Sequence, residues 1–77
     1  MEVIVYSKNN CSMCTRTKRF LKASDIRFVE KNVEKDETFM KEARETGFSS
    51  MPIVKIEGHE TFAGHQQRKL EEIFGSL

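Results

Sequence analysis

The chain has 77 residues, 38% of them hydrophobic and 32% charged, and 13 Lys plus Arg against 12 Asp plus Glu leave a formal net charge of +1. So short a chain has material for one small core, so 1–77 reads as one domain. The near-neutral balance argues against a dedicated nucleic-acid or acidic-membrane binder, which carries a large basic excess. No stretch approaches the roughly 20 apolar residues of a membrane helix, and the start lacks the basic-then-apolar order of a signal peptide, so a cytoplasmic location is expected.

Val3-Ile4-Val5-Tyr6 is a continuous β-branched and aromatic run, which suits a strand buried on both faces. Ser7-Lys8-Asn9-Asn10 is a polar turn rich in helix-capping residues. Residues 11–24 follow a helical pattern that places Met13, Thr17, Phe20 and Leu21 on one face. A second strand is expected over 26–33, with Ile26, Phe28 and Glu30 alternating. A second helix is expected over 35–46, with Phe39, Met40 and Ala43 inward and Gly47 as its stop. Beyond Pro52, the only proline, residues 53–56 form a short strand, Gly58 sits in a tight turn, and 60–62 return as a last strand. Gly64 breaks the chain before a third helix over 66–74, with Leu70, Ile73, Phe74 and Leu77 facing inward.

The order is β-α-β-α-β-β-α. A strand, a helix and a second strand imply a right-handed crossover and a parallel pair, while the later hairpin must be antiparallel. The economical solution is an α/β fold with one mixed four-stranded sheet and helices on both faces.

The two cysteines, Cys11 and Cys14, form a C-x-x-C where the first strand gives way to the first helix. A bond between them closes too short a loop to hold a fold together, because cross-link stabilisation grows with loop length. At a helix N-terminus the free N–H groups and the positive dipole end favour a thiolate over a thiol. Lys8 and Arg16 add positive charge, and no acidic residue occurs from Val3 to Ser24. The thiolate is the reacting species in disulfide exchange, so Cys11 is the candidate nucleophile. The i, i+3 spacing sets Cys14 one turn further in, able to bond back to Cys11 and harder for solvent to reach. Two other readings stand beside this one. The pair could be two inert thiols, or half of a zinc site completed by His59 and His65; their H-x5-H spacing is wide, and the interval from the cysteines is too long for a finger.

Val5-Tyr6-Ser7-Lys8-Asn9-Asn10-Cys11-Ser12-Met13-Cys14, with Thr17-Lys18 following, resembles the active-site segment of glutaredoxin-like proteins. It is most similar to that of the NrdH-redoxins, small electron donors to class Ib ribonucleotide reductase. The resemblance runs over nearly the whole chain, through Gly47-Phe48, Ser50-Met51-Pro52-Ile53-Val54 and Phe62-Ala63-Gly64. It implies the minimal thioredoxin fold, no cofactor, no metal and a monomer. It also implies that Pro52 is cis beside the cysteines, with the Met51 backbone free to pair with a substrate segment as an added strand. Lys8, Gly64 and His65 are implied to border the docking surface. Glutaredoxins carry acidic residues where this chain has Gln66 and Gln67. Without those carboxylates glutathione loses partners for its amino group, so its binding is expected to be weak or absent. Ala63-Gly64-His65-Gln66-Gln67 also lacks the aromatic and the proline usual in NrdH-redoxins.

The expected function is dithiol–disulfide exchange, with thioredoxin reductase as reductant and ribonucleotide reductase as acceptor. A glutaredoxin using glutathione or another small thiol is the second reading. A non-catalytic zinc-binding or redox-sensing module is the third. Among the remaining residues, Tyr6 reads as a core aromatic and His59 as exposed in its turn. His65 reads as a surface residue at the start of the last helix. The basic face of Arg16, Lys18, Arg19 and Lys22 reads as solvated, with steering of an acidic partner as its functional alternative.

Overall fold

The computed structural model describes residues 1–75. The elements are β1 (Val3–Ser7), α1 (Ser12–Ala23), β2 (Val29–Asn32), α2 (Glu37–Glu45), β3 (Ile53–Ile56), β4 (Phe62–Ala63) and α3 (Gln67–Phe74). The strands make one sheet in the order β2-β1-β3-β4. β1 runs parallel to β2 and antiparallel to β3, and β3 is antiparallel to β4. This is the mixed sheet and element order of the minimal thioredoxin/glutaredoxin fold.

β1 is central, and all five of its residues are buried, as a continuous apolar run requires. Its side chains alternate between two layers. Val3 and Val5 join Phe20, Leu21, Val54, Ile56, Phe62 and Leu70, so α1 and α3 share one face. Ile4 and Tyr6 join Val33, Ala43 and Ile53 under α2 on the other. Full burial of a side chain such as Leu21 or Leu70 stabilises the fold by about 2–3 kcal/mol. Tyr6 is a core aromatic whose hydroxyl donates to Glu42 of α2 at 3.0 Å. Burial, with the Glu42 hydrogen bond second, pushes its phenol up to about 12.

Several boundaries shift from the sequence expectation. β2 begins at Val29 rather than residue 26, because its first ladder partner is Ile4 near the start of β1. Ile26 and Phe28 still pack on the α1 side of the core, but outside the ladder. α2 begins after Asp36, whose side chain accepts from the Thr38 N–H at 2.8 Å and so caps the helix. The last strand is Phe62–Ala63 rather than 60–62, since pairing with Val54 and Ile53 starts at Phe62. The inward stripe of α1 starts at Cys14, not Met13. Met13 sits in the first turn and is 42% exposed. In α3 Leu70 is buried, with Ile73 and Phe74 packed against the same layer; Leu77 lies outside the described residues. No helix among the described residues is long and apolar enough to cross a membrane.

Candidate active site

The site is assembled where β1 ends. Asn10 adopts a left-handed backbone, φ 55°, and turns the chain from the strand into α1; asparagine tolerates that region better than most residues. Cys11 is then the N-cap of α1, and its sulfur accepts the backbone N–H of Cys14 at 3.1 Å. Thr15 adds a side-chain bond to the Cys11 carbonyl at 3.2 Å. Cys11 and Cys14 are joined as a disulfide with Cα atoms 5.2 Å apart. Their exposures differ: Cys11 is half-buried, while Cys14 is 1% exposed on the inner face of the helix.

The Met51–Pro52 peptide bond is cis. The Met51 carbonyl oxygen lies 3.9 Å from the Cys11 sulfur, across 40 residues of sequence. Pro52 is buried and its carbonyl accepts the Gly64 N–H at 2.7 Å. Gly64 has φ +83°, a left-handed conformation suited to glycine. Tertiary structure thus gathers Cys11, Cys14, Met51, Pro52 and Gly64.

Two hollows flank this line, and exposed Lys8 borders both. A polar groove of about 520 Å³ is lined by Lys8, Asn10, Cys11, Lys18, Asn32 and Lys35. Its one acidic lining residue, Glu30, accepts from Ser7 at 2.7 Å and Lys18 at 2.8 Å. The Lys18 bond, then the Ser7 bond, hold its carboxyl below the usual range. An apolar hollow of about 280 Å³ lies on the α2 side, lined by Lys8, Val33, Met40, Phe48 and Met51. Phe48 is 41% exposed at its rim.

His65 keeps a partly exposed place just before α3 but also reaches inward. It is half-buried, and its Nδ1 lies 2.9 Å from the hydroxyl of Thr17 in α1. Sequence reading placed Thr17 on the inward face without giving it a partner. The available signal was a hydroxyl in an otherwise apolar stripe. Glu30 and Asn10 were likewise not singled out as site residues. His59 is exposed in its turn. Among the described residues no group of three or more His, Cys, Asp or Glu side chains is placed to hold a metal ion.

A C-x-x-C disulfide capping the helix after a central strand, opposite a cis-proline loop, defines a thiol–disulfide oxidoreductase of thioredoxin-like fold. The family model for glutaredoxin matches residues 3–60. The glutaredoxin-like protein NrdH of Lactococcus lactis is 32% identical over 71 residues, 92% of this chain and 97% of that protein. A glutaredoxin-like 8.6 kDa protein from the rubredoxin operon of Clostridium pasteurianum is 36% identical over 56 residues, 71% of this chain and 75% of that one. The structure of the NrdH-redoxin from Escherichia coli matches with a TM-score of 0.86 over 100% of both chains, at 22% identity. The chain belongs to the glutaredoxin family, and its likeness within that family is to the NrdH proteins.

Proposed function

We propose that this protein is a dithiol electron donor to class Ib ribonucleotide reductase and is itself reduced by thioredoxin reductase. It works as a monomer in the cytoplasm. The observation that carries the chemistry is the asymmetry of the two sulfurs: Cys11 is half-buried and receives the Cys14 N–H, while Cys14 is buried.

In the reduced protein Cys11 is the nucleophile. The N–H bond and the helix start stabilise its thiolate. That thiolate attacks one sulfur of the partner's disulfide; a Cys11–partner bond forms and the partner's other sulfur leaves as a thiolate. Cys14 gives its proton to that first leaving thiolate, attacks the Cys11 sulfur and expels the second partner thiolate. The partner gains two electrons and the Cys11–Cys14 disulfide remains. Met51 supplies backbone for a short added strand, and Pro52 and Gly64 hold that edge. Lys8 borders it, while the His65 ring is turned onto Thr17.

The choice of reductant rests on the start of α3. By the resemblance, Gln66 and Gln67 take the positions at which glutaredoxins carry acidic residues, and the Gln66 amide donates to the Ala63 carbonyl at 2.9 Å. Glutathione therefore binds weakly or not at all. The test compares two recycling systems on one disulfide substrate, NADPH with thioredoxin reductase and NADPH with glutathione and its reductase. Turnover confined to the first supports the proposal; turnover confined to the second replaces it with the glutathione-dependent reading.

A further inference from the structure

We infer that His65 is a positioning residue: by accepting the Thr17 hydroxyl proton it fastens the loop bonded to Pro52 onto the helix that carries both cysteines. Thr17 is fully buried, three residues after Cys14 on the inner face of α1. A buried hydroxyl needs a partner, since leaving one unmet is costly. His65 Nδ1 at 2.9 Å, 48 residues away in sequence, is that partner.

The direction of the bond follows from its neighbours. The Glu71 carboxylate only accepts, so the Gln67 amide nitrogen faces it, at 3.1 Å. The Gln67 amide oxygen then faces His65 Nε2, also at 3.1 Å. In the neutral imidazole Nε2 then carries the ring proton, which leaves Nδ1 bare as an acceptor for Thr17. The first turn of α3 thereby sets the histidine tautomer that suits the buried hydroxyl.

On its other side His65 adjoins Gly64, whose N–H donates to Pro52 at 2.7 Å. Pro52 follows Met51, whose carbonyl stands 3.9 Å from the Cys11 sulfur. The two halves of the site come from distant parts of the chain, and the direct contact between them at Cys11 and Met51 is long. The shorter polar link runs through His65. The inference rests on the reading that a partner docks along the Met51 edge. For such a partner, the spacing of that edge from the sulfur decides whether its disulfide lines up for attack.

The test uses the pre-reduced full chain and its Thr17→Val, His65→Ala and His65→Asn variants. Single-turnover reduction of insulin is compared with that of hydroxyethyl disulfide, which is too small to need the Met51 edge. Thermal melts check that each variant is folded, and valine is close in shape to threonine. Thr17→Val and His65→Ala should each raise the half-saturating insulin concentration about fivefold, the factor one net hydrogen bond supplies. The limiting rate and the rate with hydroxyethyl disulfide should stay within roughly twofold. The combined variant should be no worse than either alone, because both remove the same bond. His65→Asn should restore insulin kinetics, since its amide oxygen replaces Nδ1 as the acceptor. Unchanged insulin kinetics in both variants, an equal loss on both substrates, or additive losses would overturn the inference. A wild-type protein that reduces hydroxyethyl disulfide but not insulin overturns the docking reading, and the inference with it.

Discussion

The backbone N–H of Cys14 points at the sulfur of Cys11 across 3.1 Å, so the helix caps itself with one of the two disulfide cysteines. A serine or aspartate at such a position would satisfy the same donor and nothing more. A cysteine there accepts the N–H best as a thiolate, which couples the local stability of α1 to the reactivity of Cys11.

The roles proposed for the two sulfurs rest on that coupling. In the reduced protein Cys11 should be alkylated by iodoacetamide at a pH well below the ordinary thiol value of about 8.5, with Cys14 slower throughout. Cys11→Ser should abolish disulfide reduction. Cys14→Ser should trap a covalent complex with the partner, visible as a reductant-sensitive band on a non-reducing gel. A Cys14→Ser protein that forms no mixed disulfide would remove the role assignment.

The absence of acidic residues at the start of α3 bears on small thiols. Gln66→Glu with Gln67→Asp should raise activity in the glutathione-coupled assay by about tenfold, the effect of adding charged hydrogen-bond partners to a ligand ammonium group. The thioredoxin reductase assay reports any general damage. No gain with glutathione would show that groups elsewhere in the site set this preference.

Arg16, Arg19 and Lys22 are exposed on α1 and enter none of the three ion pairs found among the described residues, while Lys18 pairs with Glu30. This unpaired positive face lies beside the reactive helix end. Arg16→Glu with Arg19→Glu should slow reduction of an acidic protein partner about tenfold at low salt. The wild-type advantage should shrink as salt rises, and hydroxyethyl disulfide should be reduced at an unchanged rate. Equal slowing at all ionic strengths would rule out steering.

Glu30 links α1, β1 and β2 through Lys18 and Ser7. These bonds, Lys18 first, favour its ionised form and lower its folded pKa. The sign follows: its contribution is present above the unfolded glutamate value of about 4.3 and is lost as pH falls through the lower folded value. The side chain is partly exposed, so solvent screening keeps the effect small. Glu30→Gln should lower Tm by roughly 3 °C at pH 7, with the gap closing towards pH 3. Melts that differ by the same amount at both pH values would contradict this.

Patterns local to the chain were enough to read the frame. The Val3–Tyr6 run marks a buried strand because only a strand covered on both faces can keep so many apolar side chains dry. The C-x-x-C between that strand and a helix marks the reactive end, because an N-terminal turn offers free N–H groups to whatever residue caps it. The element order follows from hydrophobic period and turn residues. Boundaries were less legible where pairing, not propensity, sets them. β2 waits for Ile4, and β4 starts where Val54 can pair. The exposure of Met13 was hidden too, since helical spacing gives an angle around the axis but not how far the covering layer extends along it. What only the tertiary structure decided is the meeting of segments distant in sequence. The Met51 carbonyl faces Cys11 across 40 residues and His65 reaches Thr17 across 48. Such contacts depend on how the sheet register and helix packing bring separate loops to one end of the fold, and no local period carries that information.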